Sequence, residues 1–294
     1  MKISEILNQK KTISFEVFPP KKDTDSLDKI LSSIDSLIEL NPDFISVTYG
    51  AGGTNRANNA NIAEYIKKKG VEPLAHLTGG PCTKEEVDTI AGDLKKKGIE
   101  NVLALRGDKP IDYSDDYCKE FPHATDLQKY LSKYDFEIAG ACYPEGHIEC
   151  ETLYEDLHYM KMKQDLGAKF FITQIFYDNN YYYRLVNEAK KIGITVPIIP
   201  GIMPLTKPQN IKKIMSMCGS SIPLEFRNMI EIYKDNALVL EEIGLNYAVY
   251  QIIDLIAKGA PGIHLYIMNN AKIAKDIHMR LHNVINELFK KKHL

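Results

Sequence analysis

The sequence predicts a (β/α)8 barrel, the TIM-type α/β fold, as a single domain over residues 1–294 with extra helices before the last strand. Short runs of β-branched and aromatic residues alternate with longer helical patterns along the whole chain. Eight such runs occur, and each is almost continuously apolar, as expected of parallel strands covered on both sides. No linker rich in Ser or Pro divides the chain, which favours one domain.

The predicted strands are the runs that β-branched and aromatic residues dominate. They span residues 13–18, 44–49, 72–77, 102–106, 136–142, 170–176, 196–200 and 262–267. An open doubly wound sheet is the alternative. The first strand is not followed by the G-x-G-x-x-G turn that binds phosphate in that fold, so the barrel is favoured.

The predicted helices fill the intervals between these strands. They span residues 27–40, 60–69, 84–97, 151–166, 181–191 and 208–217, and two further helices, 223–233 and 236–258, precede the last strand. Glycines stand just after four of them, where a left-handed residue commonly ends a helix. These are Gly70, Gly98, Gly167 and Gly193.

Composition narrows the class of partner. Lys and Arg number 37 against 39 Asp and Glu, so the net charge is −2 and a nucleic-acid partner is not expected. The polar start of the chain lacks an export signal, and no apolar run is long enough to span a membrane. Five cysteines without a C-x-x-C pair argue against disulfides or structural zinc. We expect a cytoplasmic protein that binds small molecules and no metal.

The ligand site of such a barrel lies at the carboxyl ends of its strands, so polar residues there are the candidates. Glu16 stands inside an apolar strand, where an unpaired carboxylate is costly. Desolvation would raise its pKa and suit it to act as a general acid near neutral pH. A salt-bridged structural carboxylate is the alternative.

Further candidates follow the second, fourth, fifth and sixth strands. Arg106 could hold a phosphate or carboxylate, or form an ion pair at the strand end, and Asp108 would face a ligand in the barrel. Gln174 lies in an apolar strand and needs a partner, which is either a heterocyclic ligand or a structural hydrogen bond. The other candidates are Thr48, Tyr49, Gly50, Gly52 and Gly53 of a glycine-bearing loop, the strand-end Tyr143 and His147, and Asp156 and Lys163, seven residues apart on one helix.

Taken in order, these segments resemble the methylenetetrahydrofolate reductase family in its bacterial form, which consists of the catalytic barrel alone. The resemblance extends from Thr12 to Asn270. It implies a barrel that holds FAD non-covalently, takes hydride from NADH or NADPH and passes it, in a ping-pong reaction of one-carbon metabolism, to methylenetetrahydrofolate. The matching segments are SFEVFPP, SVTYGAGG, AHLTG, LALRGDKP, ACYPEGH, GAKFFITQIFYD, IPGIMP and HLYIMN.

The resemblance also implies roles for individual residues. Glu16 matches the general acid that helps to open the methylene bridge of the folate, and Asp108 matches a carboxylate that meets both flavin and folate. Gln174 matches an amide that contacts the folate. The residues that fall where the family contacts FAD are Thr48, Tyr49, Ala51, His76, Arg106, Gly107, Asp108, His123, Ala124, Tyr143, His147, Asp156 and Lys163.

The chain departs from the bacterial pattern at a few positions. Met268, Asn269 and Asn270 stand where that pattern has Leu-Asn-Arg, and the missing Arg is expected to meet the glutamate tail of the folate. Ile214 replaces an aromatic residue, and Tyr159 replaces an Asn. The electron donor therefore stays open among NADH, NADPH, and ferredoxin or a partner subunit.

Two other classes of protein compete with this interpretation. A flavoenzyme of the proline dehydrogenase type would need a basic clamp for an amino-acid carboxylate, and the sequence does not identify one. A non-catalytic subunit that binds folate or flavin is disfavoured by the presence of Glu16, Asp108 and Gln174. We expect the chain to form an oligomer.

Overall fold

A parallel sheet that closes on itself forms the centre of the protein. The computed structural model describes residues 1–20, 26–49, 56–108, 118–207 and 219–290. Within these residues nine parallel strands are hydrogen-bonded in the order β7-β6-β5-β4-β3-β2-β1-β9-β8. They are β1 Thr12–Val17, β2 Phe44–Val47, β3 Glu72–Thr78, β4 Asn101–Leu105, β5 Glu137–Cys142, β6 Phe170–Thr173, β7 Ile198–Ile199, β8 Gly201–Ile202 and β9 Gly262–Tyr266.

The two ends of this strand order are halves of one segment. β7 pairs with β6 and β8 pairs with β9, and only Pro200, which has no N–H group to donate, separates them. The predicted seventh strand is therefore split, and each half bonds to a different neighbour. Eight strand positions close the barrel, which confirms the predicted fold class.

Helices cover the outside of the sheet. The described ones are α1 Ile3–Gln9, α2 Leu27–Ile38, α3 Arg56–Lys68, α4 Lys84–Lys96, α5 Ala124–Leu131, α6 Leu153–Asp165, α7 Asn179–Lys191, α8 Leu224–Ile232, α9 Ala237–Ala257, α10 Ala271–Arg280 and α11 His282–Leu288. α8 and α9 confirm the predicted extra helices before the last strand. The predicted helix 208–217 lies outside the described residues. Among the helices of the described ranges, none has the length and apolar character needed to cross a membrane.

Four helices, α1, α5, α10 and α11, are not among the helical stretches located in the sequence, although the predicted barrel calls for helices at the places of α5 and α10. α1 shows why, because tertiary contacts rather than helix propensity hold its seven residues. The backbone N–H of Ile3 donates to Asn101 (3.0 Å) and that of Ser4 donates to Glu137 (2.7 Å), so two strands satisfy the start of the helix. Ile3 is fully buried and closes the lower end of the barrel.

Alternation along the strands separates an outer from an inner face. In β1, Ile13, Phe15 and Val17 join the core beneath the helices, whereas Ser14 and Glu16 face the inside of the barrel. The inner apolar cluster consists of Ile3, Phe44, Leu74, Leu103, Ala139, Phe170, Ile172 and Ile199. Above this cluster, toward the carboxyl ends of the strands, the interior becomes polar.

Candidate functional site

A buried pair of ionisable side chains lies inside the barrel near its carboxyl end. Oε2 of Glu16 on β1 is 3.8 Å from Nε2 of His76 on β3, and each residue is 7% exposed. Burial raises the pKa of Glu16 from 4.5 to about 8 and lowers the pKa of His76 from 6.5 to about 3. At neutral pH both side chains are therefore uncharged, and the distance is too long for a hydrogen bond.

The direction of the Glu16 pKa shift shows whether this residue is a salt-bridged structural carboxylate, the alternative considered from the sequence. A salt-bridged carboxylate would have a lowered pKa, whereas desolvation raises the pKa of Glu16. Within the described part of the chain, neither Lys nor Arg forms an ion pair with Glu16. Glu16 is thus a carboxylic acid held in its protonated form by burial among neutral groups, which is the state that a proton donor needs.

A second buried histidine lies deeper in the barrel than Glu16. Nδ1 of His264 is 2.8 Å from the Ser14 hydroxyl, and Nε2 is 3.3 Å from the Ser46 hydroxyl. His264 is 1% exposed, and burial lowers its pKa to about 3. In the register of the sheet, Glu16 lies beside both Ser46 and Tyr266. The neutral His264 and the hydroxyls that it contacts therefore form the floor beneath the acid.

A larger polar cluster follows β4 and β5. The Tyr143 and His147 rings form a T-shaped pair with 4.6 Å between their centroids, and the backbone N–H of His147 donates to the carboxylate of Asp156 on α6. Lys163 on α6 donates to the carbonyl of Ala141 at 2.8 Å. Asp156 and Lys163 are 6% and 9% exposed, so the cluster holds a buried cation near a buried carboxylate.

Desolvation is the largest cause of the pKa shifts in this cluster. Burial raises the pKa of Asp156 to about 6, and the nearby Lys163 ammonium opposes the shift. Burial likewise lowers the pKa of Lys163 and of His147, and raises the pKa of the Tyr143 phenol. Such shifts are common at functional sites, although buried structural pairs show them too.

Arg106, at the carboxyl end of β4, has a carboxylate partner that the sequence analysis did not identify. Its two terminal nitrogens donate to both oxygens of Glu149 at 2.6 and 2.8 Å, and its Nε donates to the carbonyl of Gly107 at 3.1 Å. This pair raises the pKa of Arg106. The ion pair considered from the sequence therefore exists, and Asp108, two residues further along the chain, is exposed.

The remaining predicted residues lie around these groups or apart from them. Thr48 is 9% exposed and its hydroxyl has no hydrogen-bond partner in the described ranges of the chain, whereas the Tyr49 hydroxyl is 3.7 Å from Sγ of Cys82. The Gln174 carbonyl oxygen accepts from the backbone of Ile175 at 2.8 Å. His123 begins α5 next to Ala124, and its ring stacks on Tyr159, 6.2 Å between centroids. Gly50, Ala51, Gly52, Gly53 and Ile214 lie outside the described residues.

The structure thus brings six of the predicted residues into two groups, Glu16 with His76 and the cluster of Tyr143, His147, Asp156 and Lys163, while His123 stands with Tyr159. The functional role of each residue stays a prediction. Sequence reasoning did not single out Glu149, Ser46 or His264. A usable signal existed for the last two, because polar residues at alternate positions of apolar strands face the barrel interior.

This geometry defines the class of the protein. It is a (β/α)8 barrel with a protonated acid and a polar cluster at the mouth of the barrel. Residues 2–282 match the family model of methylenetetrahydrofolate reductase. The 5,10-methylenetetrahydrofolate reductase of Escherichia coli (strain K12) is 37% identical over 89% of this chain and 88% of its own length. The chain belongs to the methylenetetrahydrofolate reductase family, which confirms the resemblance found in the sequence.

Other relatives are longer or more distant. Methylenetetrahydrofolate reductase (NADH) 1 of Arabidopsis thaliana is 36% identical over 95% of this chain, and the chain spans 50% of the plant protein. The chain likewise spans 50% of the probable methylenetetrahydrofolate reductase (NADH) of Oryza sativa subsp. japonica. A protein of Clostridium thermocellum, described as binding two copies of 5-methyl-5,6,7,8-tetrahydrofolic acid, shares the fold with a TM-score of 0.61 at 18% identity, covering 96% of this chain and 100% of its own.

Proposed function

We propose that this chain reduces 5,10-methylenetetrahydrofolate to 5-methyltetrahydrofolate in a ping-pong reaction with FAD as cofactor and NADH or NADPH as donor. The observation that carries the proposal is the protonated Glu16 beside the neutral His76 at the mouth of the barrel. Support also comes from the Escherichia coli relative, of which the chain spans 88%, and from the folate named for the Clostridium thermocellum protein.

The residues present fit a large polar cofactor such as FAD. Two buried polar atoms near the strand ends, the Thr48 hydroxyl and Nε2 of His76, have no hydrogen-bond partner among the residues that the structure describes. Buried polar atoms normally have one, so a ligand that bonds to both removes a cost of about 1–3 kcal/mol for each. Arg106 and Lys163 supply the positive charge that a pyrophosphate needs, and Tyr143 supplies an aromatic surface for a flat ring.

Glu16 supplies the proton of the proposed reaction. FAD, once bound and reduced by NADH or NADPH, would supply the hydride for the methylene carbon of the folate. That carbon becomes electrophilic only after one of its two bridging nitrogens is protonated and the ring opens, and Glu16 is the buried acid able to give this proton. His76 cannot compete for the proton, because burial lowers its pKa to about 3.

The other proposed roles concern binding and orientation. Gln174 orients the folate through its side-chain amide, and Asp108, exposed at the rim after β4, faces both flavin and folate. Both assignments rest on the family and on the position of these residues at the carboxyl ends of β6 and β4. We further propose that the protein is a cytoplasmic oligomer.

Spectroscopy of the purified protein tests the proposal. We expect a yellow protein that NADH or NADPH bleaches under anaerobic conditions and that methylenetetrahydrofolate then recolours. Stopped-flow comparison of NADH, NADPH and reduced ferredoxin as reductants identifies the donor and any need for a partner subunit. A colourless protein that does not take up FAD, or a reduced flavin that folate does not reoxidise, overturns the proposal.

A further inference from the structure

The turn after β9 has an unfavourable backbone conformation. Met268 and Asn269 are consecutive non-glycine residues with positive φ, 53° and 59°. A non-glycine residue in the left-handed region costs roughly 1–2 kcal/mol, and such conformations persist only where other contacts hold them. The turn lies next to the end of β1, the strand that carries Glu16.

Asn269 makes the contacts that hold this turn. Its Nδ2 donates to the carbonyl of Phe18 at 2.9 Å, and its Oδ1 accepts from the N–H of Phe18 at 2.8 Å. Its own carbonyl accepts from the Ser33 hydroxyl of α2 at 2.8 Å. The amide therefore uses its donor and its acceptor on one backbone unit, as a paired strand does.

The position of this contact matters because of where the sheet ends. Register between β1 and β9 runs from Thr12 with Gly262 to Glu16 with Tyr266. Phe18 lies two residues beyond Glu16, so the Asn269 side chain continues the hydrogen bonding of β1 past the acid. Left unpaired, this end of the strand would be free to fray toward water.

We propose that Asn269 is a positioning residue, which clamps the chain after β1 and so keeps the Glu16 carboxyl fixed and shielded from water at the barrel mouth. The inference rests on the proposed function for the role of Glu16 as the acid. In this proposal Asn269 contacts neither the Glu16 carboxyl group nor the substrate. It acts through the backbone of Phe18.

The surroundings of Glu16 make its acidity depend on water access. The groups that face it are His76 from β3 and Tyr266 from β9, with His264 below, and none of these histidines is charged at neutral pH. Desolvation is the cause of the raised pKa of Glu16. Loss of the clamp admits water, and the pKa of Glu16 then moves toward its ordinary value, 4.5.

Substitution of Asn269 by Gly tests the clamp while keeping the turn. Glycine adopts a positive φ without strain, so Asn269→Gly removes both bonds to Phe18 and preserves the backbone. Asn269→Asp keeps only the acceptor. The matched control is Asn41→Gly, since Asn41 also has a positive φ, 53°, but lies between α2 and β2 at the opposite end of the barrel.

Two measurements are needed, one with folate and one without it. In the folate half-reaction, we expect Asn269→Gly to lower the pH at which the rate is half-maximal by at least about one unit from about 8. A one-unit fall in the pKa lowers the protonated fraction, and with it the rate, about twofold near pH 7 and about tenfold near pH 9. The half-maximal pH of Asn269→Asp should lie between the values for Asn269→Gly and the parent protein. The pH profile of Asn41→Gly should match that of the parent protein. A wild-type profile in Asn269→Gly overturns the inference.

The second measurement stays decisive if folate proves not to be the substrate. In the apoprotein, we compare the unfolding equilibrium constants of the parent protein and of Glu16→Gln. The ratio of the first constant to the second should rise about tenfold per pH unit from pH 4.5 to about 8. In the Asn269→Gly background this rise should stop at a lower pH. An unchanged rise overturns the role of Asn269, whereas a shortened rise without folate reduction refutes only the proposed function.

Discussion

Nε2 of His76 lies 3.8 Å from Oε2 of Glu16, and the proton of this pair resides on the carboxyl group. The pKa of Glu16 is about 8 and that of His76 about 3, so transfer to the imidazole would create two buried charges. The acid is therefore protonated before a substrate arrives.

Glu16→Gln should abolish folate reduction and leave cofactor reduction nearly intact. The amide matches the shape of the protonated acid but has no acidic proton, and loss of a general acid costs a factor of about 10²–10⁴. Oxidation of NADH or NADPH with an artificial quinone acceptor should change less than about twofold, because it needs no proton from this carboxyl. Stopped-flow rates for each half-reaction measure both effects, and equal losses would refute the role of Glu16 as the acid.

The stability of the apoprotein should fall between pH 6.5 and about 8, and Glu16→Gln should remove this fall. The folded state binds more protons at Glu16 than the unfolded state from pH 4.5 to about 8, so stability decreases as the pH rises there. His76 and His264 have lowered pKa values, about 3, so their contribution is lost as the pH falls below 6.5.

Urea unfolding at several pH values measures these changes, and each group contributes up to about 1.4 kcal/mol per pH unit in its own window. The difference between the parent protein and Glu16→Gln isolates Glu16 from all other titrating groups. Parallel curves for the two proteins would show that Glu16 does not have a raised pKa.

The fold was predictable because strand and helix patterns repeat along the chain. The eight apolar runs correspond to the observed strand positions, and the largest difference, the split at Pro200, has a local cause in the missing N–H group. α1 was not predictable from local pattern. Its seven residues are fixed by Asn101 and Glu137, which only the folded barrel brings to it.

The site was predictable where one residue contradicts its surroundings. Glu16 is visible in the sequence as a carboxylate in an apolar strand. Other contacts of the site are not visible in the sequence, because distant segments supply the two partners. Asn269 and Phe18 are 251 residues apart, and Arg106 and Glu149 are 43 residues apart. Composition and periodicity describe one segment at a time, so they do not identify such pairs.

Asp156 and Lys163 should be energetically coupled in the apoprotein. Both are buried, and removal of one partner leaves the other charge uncompensated. We expect the double variant Asp156→Asn with Lys163→Met to be more stable than the sum of the single effects by about 1–2 kcal/mol. The matched control is the surface pair Lys161 and Asp165 on the same helix, where the coupling should stay below about 0.5 kcal/mol. Urea unfolding of both cycles measures the difference, and equal coupling would refute it.

Arg106 should bind FAD more strongly when Glu149 no longer neutralises it. The Glu149 side chain is 43% exposed, so its loss should change stability by at most about 1 kcal/mol. We expect Glu149→Gln to increase FAD affinity severalfold at low ionic strength, and Arg106→Lys to decrease it about tenfold because lysine lacks the two-pronged geometry. Flavin fluorescence titration at low and high ionic strength measures both. Weaker binding by Glu149→Gln would show instead that Glu149 positions the guanidinium.

Gly201→Ala should destabilise the protein through the residues that surround Glu16. A Cβ atom at Gly201 would lie 2.4 Å from the Tyr266 ring and 2.5 Å from the backbone oxygen of Thr173. The Tyr266 hydroxyl donates to that same oxygen at 2.7 Å, so neither group can move without breaking the other contact. Since the overlap includes backbone, we expect a loss of about 2–4 kcal/mol. The matched control is Gly92→Ala in α4, where no described atom outside the helix's own backbone and the two neighbouring residues lies within 4 Å of the new Cβ, and helix propensity should add about 0.5–1 kcal/mol. Urea unfolding should therefore separate the two variants in opposite directions, and a Gly201→Ala protein as stable as its parent would mean that Tyr266 does not cross the barrel at this position.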